Sequence, residues 1–440
     1  MTSSSSTRPR GAVGGAGSAN RSRTVSSGPV SSRTARLAPL RRWLDTLESP
    51  VTSYVALQIV VGLLVLLGLV MVLSASMIVS LKENDSSFSI FLKQLSFAGI
   101  GTVALWIASR RTIGFWKRLA LPVLGAAIVG QLLVFTPLGI GFQGNRNWLD
   151  FGVVTVQPSE FGKLALVLFG ALVLANKAQL MGNIWQALIP FVLPVAAIII
   201  GLVLLGHDLG TALVLCAIVA VMLYVAGVAL RWFVVGALGF GLLVTAATLS
   251  SANRMGRIAI WLDPSSCDPY GLCRQPLHGR YALADGGWFG VGLGASREKW
   301  QWLPEPHNDF IFAIIGEELG LPGTLFVLGL FLALAWVALR MVRRTDDQFV
   351  RLVTAGILGW IVVQALINIG AVIGALPVIG VPLPFVSSGG SSLVTTMLAA
   401  GVLLSFARQE SGCAEMLRER PNWLRSSLSV LPTIRRTSRR

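Results

Sequence analysis

Apolar runs long enough to cross a hydrocarbon layer recur along this chain, and that repetition constrains its fold more than any other feature. A bilayer core about 30 Å thick takes about 20 apolar helical residues, and only helices or closed barrels satisfy their own backbone inside it. Ten such runs stand at roughly 55–80, 88–108, 119–137, 158–175, 186–205, 208–227, 232–250, 309–340, 352–376 and 388–407. The 440 residues are 54% hydrophobic and only 13% charged, outside the range of ordinary soluble domains. The expected fold is all-α: a polytopic integral membrane protein of about ten transmembrane helices, with a long extracytoplasmic segment, 251–308, between helices 7 and 8. Residues 1–53 and 409–440 read as flexible basic tails flanking a membrane domain at 54–408. The first apolar run is a full span with no small-residue cleavage site after it, which argues against a signal peptide; the composition of the start also permits a transit peptide.

Orientation follows from Lys and Arg. With both tails inside and the spans alternating, inner segments hold 26 of the 36 basic residues, as the positive-inside rule requires. The net charge of +16 then reflects orientation and contact with anionic headgroups, and needs no nucleic acid. Of the four cysteines, Cys267 and Cys273 share the outer segment. Their spacing, CDPYGLC, is short enough to close a small loop in an oxidising exterior; the alternative is two free thiols.

Ionisable residues inside spans are costly and mark function by default. They are Lys93, Glu160, Lys163, Asp208, Glu317 and Glu318. Glu160 and Lys163, three apart on one helical face, are also placed to neutralise each other, and the glutamate pair to bond neighbouring helices. In the assumed orientation the even-numbered spans begin outside. Pro158 opens the fourth, with Arg146 just before it; His207 and Asp208 open the sixth; His307, Asn308 and Asp309 open the eighth; Ser387, Ser388, Gly389 and Gly390 precede the tenth. Helix N-termini favour anions, so several at one level, with Arg146, would suit a phosphate-bearing ligand, although ordinary capping explains part of the pattern. Asp309 lies at the outer rim and Glu317 and Glu318 roughly 12–14 Å deeper. Gly320, Pro322 and Gly323 are expected to kink or break the overlong eighth span. A carboxylate at the rim suits general-base work or metal binding; N-capping is the plainer role. GWFGVGLG, 287–294, lacks the strand and helix of a nucleotide loop; Trp288, Trp300 and Trp302 suit an interfacial belt; His207, His278 and His307 lack metal-site spacing.

Four motifs, in order, carry a resemblance: GNRNWLDFGVVTVQPSEFGKL, HDLGTALV, WQWLPEPHNDFIFAIIGEELGLPG and GVPLPFVSSGGSS. Together they resemble the shape, elongation, division and sporulation (SEDS) family over about Leu57–Arg408, closer to its division than its elongation members. The resemblance implies a ten-span peptidoglycan glycosyltransferase that polymerises lipid II on the outer face of the bacterial cytoplasmic membrane. It implies a class B penicillin-binding protein as partner, other division proteins beside it, and both tails cytoplasmic at the septum. By motif position Asp309 is the essential acid, and Arg146 and Lys163 are basic site residues. On this reading Asp309 activates the acceptor 4-hydroxyl, directly or through a divalent cation (Mg or Mn), while Arg146 with Lys163 or Lys299 steadies the departing diphosphate. Glu160, Glu305, His307 and the Ser387–Gly390 stretch complete the expected substrate site. Asn308, Ser388 and Pro306 depart from the family's usual Thr, Tyr and Ala, which touches positioning more than charge. A lipid II flippase and a non-catalytic division scaffold are the rival readings.

Overall fold

In the computed structural model, residues 49–416 are described, apart from 143–144, 153, 250–251, 264–267, 269–270 and 414. The expected basic tails therefore lie almost wholly outside the described residues. In chain order the helices are α1 (Pro50–Asn84), α2 (Ser89–Ser109), α3 (Ile113–Leu133), α4 (Pro158–Asn176) and α5 (Trp185–Leu205). They continue as α6 (Leu209–Val225), α7 (Leu230–Leu249), α8 (Ala252–Leu262), α9 (Arg274–Gly286), α10 (Ile311–Arg344), α11 (Gln348–Val372) and α12 (Gly390–Arg408). Among the described residues, α1 to α5 and α10 to α12 are long and apolar enough to cross a membrane, eight in all. At the expected sixth and seventh places, α6 and the Leu230–Ala246 part of α7 are apolar but shorter. The chain is thus a mostly helical integral membrane protein.

Burial sorts the helices into an inner and an outer set. Along their apolar windows α4, α11 and α12 are 72%, 72% and 78% buried, whereas α2 and α3 are 17% and 22% buried and turn most of their surface outward. The outer helices can approach the inner set closely where small residues stand at the crossings. A Cβ on Gly401 of α12 would fall 2.7 Å from Leu105 O on α2, so only glycine admits that crossing.

One departure from an all-helical reading is a small antiparallel sheet, β1 (Gly139–Phe142), β2 (Asn145–Asp150) and β3 (Thr155–Val156), between α3 and α4. Its central strand carries the NRNW motif. Backbone N–H of Arg146 donates to Gly206 O (3.0 Å). The buried Asn147 amide, oriented so that its nitrogen meets acceptors, bonds Gly206 O (3.2 Å) and Arg146 O (2.8 Å). The motif thereby fastens the hairpin to the turn that presents Asp208.

The break expected in the eighth span is at Gly320, whose φ of 66° and ψ of −160° are not helical. Pro322 has no N–H to return to Glu318 O, and the distorted turn also frees Glu317 O and Leu321 N. All three find partners in the segment before α10: Val291 N donates to Glu317 O (2.9 Å), Gly292 N to Glu318 O (3.0 Å), and Leu321 N to Gly287 O (3.1 Å). The GWFGVGLG run is therefore a strap laid into a broken helix. The two glutamates hold the rest of it. Glu317 accepts from Ser296 Oγ (2.5 Å) and Arg297 N (2.6 Å). Glu318 accepts from Lys299 Nζ (3.0 Å) and Ser74 Oγ (2.7 Å).

A side chain at Gly320 has no room. Its Cβ would lie 2.4 Å from Gly290 N and 2.7 Å from Phe289 C, and the backbone conformation alone costs a non-glycine residue about 1–3 kcal/mol. Gly320→Ala is expected to lower the melting temperature in detergent and to speed hydrogen exchange at 287–293 selectively. Unchanged exchange there would show that the strap does not depend on the break.

Candidate active site

Asp309 sits in the irregular turn that leads into α10, one residue before the N-cap Phe310. Two segments fix that turn. From α11, Asn368 Nδ2 donates to Asp309 O (2.7 Å) and to Val381 O (2.8 Å), tying the turn to the loop before α12. From that loop, Ser387 Oγ donates to Asn308 O (2.7 Å) and accepts from Leu383 N (2.8 Å), while Ser388 N donates to His307 O (2.9 Å). Gln94 of α2 closes the arrangement: its Nε2 donates to Ser387 O and its Oε1 accepts from Gly389 N, both at 3.2 Å. The serine–glycine stretch splints the acidic turn, with Ser387 Oγ and the Ser388 and Gly389 N–H groups spent on protein partners. Gly390 packs on the Phe97 ring, which a Cβ there would meet at 2.4 Å.

The Asp309 side chain is half-buried and pressed by backbone; a Cβ on Gly380, whose φ is +79°, would stand 3.3 Å from its Oδ2. Burial raises its pKa to about 7, with Glu305 and Asp208 adding to the rise and Arg257 opposing it. Glu305, in a left-handed backbone conformation (φ 54°), accepts from the Asn308 amide. His307 is held below the usual histidine range by burial, against the pull of Glu305 and Glu83, and its buried Nδ1 has no partner.

Asp208 caps α6, accepting from Thr211 N (2.9 Å) and Thr211 Oγ1 (2.7 Å), and takes a further bond from Gln157 Nε2 (3.1 Å). Its burial pushes the carboxyl up, Thr211 pulls it down, and Glu160 and Lys163 act in opposite senses. Gln157 N donates to Ser391 Oγ (3.1 Å), so the starts of α4, α6 and α12 meet. The predicted convergence of helix starts is therefore present, but as mutual capping.

The predicted cations fall in three places. Arg146 is exposed and directs its guanidinium to Thr136 O (2.8 Å) in the turn before β1, and it is not among the charges acting on Asp309. Lys163 is buried, bonded to Glu160 Oε1 (2.7 Å) and Gln364 Oε1 (3.0 Å), with its Nζ 4.9 Å from the Trp360 ring centroid; the anticipated pairing is there, and Glu160 Oε2 stays buried without a partner. Lys299 is spent on Glu318 and Gly294 O (2.7 Å). Among the described residues the cation acting on Asp309 is Arg257 of α8, which the sequence hides because α8 lies inside the long 251–308 connection. The signal was present: ANRMGRIAIWL puts Arg254 and Arg257 one turn apart on an amphipathic segment. Cys273 is disulfide-bonded; its expected partner Cys267 lies outside the described residues.

Among the described residues no group of three or more His, Cys, Asp or Glu is placed to hold a metal ion. Asp309, with Glu305 as charge neighbour, would offer a divalent ion one or two carboxylates, which is what Mg²⁺ uses when substrate phosphates supply other ligands.

The fold and site define a class: a polytopic helical membrane protein with a splinted acid–arginine centre at the helix ends. Residues 54–412 match the FtsW/RodA/SpoVE family model, described as cell cycle protein, and the chain belongs to that family. It is 38% identical over 382 residues to the probable peptidoglycan glycosyltransferase FtsW of Mycobacterium tuberculosis, covering 86% of this chain and 72% of that one. It is likewise 38% identical to stage V sporulation protein E of Bacillus subtilis, over 74% of this chain and 88% of that one. A chain of a solved peptidoglycan synthase complex, in which polymerization and crosslinking are coordinated, superposes with a TM-score of 0.65 at 27% identity, covering 81% of this chain and 98% of that one.

Proposed function

We propose that the chain is a peptidoglycan glycosyltransferase of the division type, polymerising lipid II at the outer face of the cytoplasmic membrane. The names of its FtsW relatives support the activity, and one observation carries the chemistry: a carboxyl group poised at about pKa 7 beside an arginine. A general base works best with a pKa near the operating pH. The Asp309 carboxylate takes the proton of the acceptor sugar's 4-hydroxyl; that oxygen bonds to C1 of the donor chain, and the C1–O bond to the lipid diphosphate breaks, the diphosphate leaving with the electron pair. Arg257 offsets the negative charge gathering on the diphosphate. Because a diphosphate leaves as a stable anion, a second carboxyl acid of the glycosidase kind is not required. Lys163, Glu160 and Lys299 act in this reading as the buried frame, and Arg146 as the anchor of its hairpin.

The solved relative that coordinates polymerization and crosslinking supports a crosslinking penicillin-binding protein as partner. The two ends of the bundle differ in a way that supports an inner face with both tails. Opposite the acid site, Lys117–Asp347 (2.9 Å) and Arg344–Glu410 (2.8 Å) join the helix ends where basic residues cluster.

The test is polymer formation by the purified protein on lipid II, resolved by pH. Activity requires the carboxylate, so kcat/KM is expected to rise with pH through about 7 and level off above it. Glu305 raises the Asp309 pKa and Arg257 lowers it, so Glu305→Gln should move the acidic limb to lower pH and Arg257→Gln to higher pH. A limb that stays in place in both variants would show that another group titrates. Lipid II sealed inside liposomes and exposed without polymer would favour the flippase reading.

A further inference from the structure

A cavity of about 320 Å³ opens beside the acid site, between α8, α9 and the segment after α11. Three arginines line it, Arg257, Arg274 and Arg280, over an apolar floor that includes Trp261, Leu376 and Val378, and no carboxylate of the described residues lines it. The arginine hydrogen bonds run to backbone carbonyls: Arg257 to Val378 O (3.2 Å), Arg274 to Trp302 O (2.9 Å) and Gln301 O, Arg280 to Pro276 O (3.2 Å). None of the three forms an ion pair among the described residues. Trp261 Nε1 donates to Gly374 O (3.1 Å) and fixes one wall.

Three guanidinium groups around one cavity with no carboxylate beside them concentrate positive charge that an oxyanion would complete. Arg257 and the Val378 segment relate the cavity to the reacting centre. Arg257 lines it and also acts on Asp309, while Val378 lies two residues before Gly380, which abuts the Asp309 carboxylate.

We propose that this cavity is an oxyanion subsite that holds an acidic group of the lipid-linked substrate, with Arg280 and Arg274 as its contacts and Arg257 as the link to the reacting centre. The inference rests on the glycosyltransferase reading for the identity of the ligand. Two acidic groups of that substrate share the required chemistry, the diphosphate and the carboxylates of the peptide, and an apolar floor beside the arginines accommodates the carbon skeleton that either one carries.

Arg280 is the residue to change. It is exposed, and its one hydrogen bond reaches back a single turn of its own helix. Calorimetry on the full chain in detergent, with inorganic pyrophosphate as probe, is expected to show saturable binding that weakens tenfold or more in Arg280→Gln and less in Arg280→Lys, at unchanged melting temperature. In polymerisation assays Arg280→Gln should raise KM by a similar factor with little change in kcat. If substrate with amidated peptide carboxylates already shows the raised KM and the variant adds nothing, the peptide is the source. If both substrates respond equally, the diphosphate is. Unchanged pyrophosphate binding together with unchanged KM on both substrates overturns the proposal. Should the wild type form no polymer, the glycosyltransferase reading falls, and pyrophosphate binding with its loss in Arg280→Gln still decides whether the cavity is an anion site.

Discussion

Asp309→Asn is expected to lower polymerisation of lipid II by about 10²–10⁴-fold, the usual contribution of a positioned general base, with little change in melting temperature. The substitution keeps the shape of the side chain and removes only its capacity to accept a proton as an anion. Its backbone carbonyl, which Asn368 holds at 2.7 Å, is untouched, so the splint should survive. Asp309→Glu keeps the charge but moves it by a methylene toward the Gly380 backbone, where a Cβ would already stand only 3.3 Å from Oδ2; a partial rescue is expected. Full activity in Asp309→Asn would remove the base from the mechanism and return the residue to a structural part of the turn.

Glu318→Ala is expected to destabilise the protein by about 3–5 kcal/mol, the cost of stranding one partner of a buried ion pair. Lys299 and Glu318 are almost fully enclosed, with side-chain exposures of 4% and 0%. Without the carboxylate the ammonium keeps only Gly294 O and Ser74 Oγ, at 2.7 and 3.3 Å. The double change Glu318→Leu with Lys299→Met should recover most of the loss, since an apolar pair of similar volume often replaces a buried bridge at little cost. Melting curves of the two variants and the parent in one detergent provide the measurement. A Glu318→Ala protein as stable as the parent would mean that water reaches Lys299.

Much of this was legible in the chain because hydrophobicity in a membrane protein is a long-range signal. Eight of the ten expected spans stand as helices long enough to cross, and the break at Gly320 was readable from Gly320, Pro322 and Gly323 together. The Glu160–Lys163 pair was readable too, because three-residue spacing fixes a shared helical face. What stayed hidden depends on which segments meet across the fold. Arg146 and Arg257 are both outer arginines near polar motifs, and only the docking of α8 against the loop at Val378 assigns the second to Asp309. Similarly, the Ser387 hydroxyl looks like a ligand group until the acidic turn is seen lying against it. Lys299 looks available until Glu318 comes into view two turns down the broken helix.

Gln94 carries one more consequence. It is a buried amide on a helix that faces mostly outward, and it grips the serine–glycine splint through both of its polar atoms. Sliding α2 along the bundle would strip both grips at once and release the segment that steadies the acid. A helix of the outer layer thus shares, through one side chain, in holding the catalytic end in place.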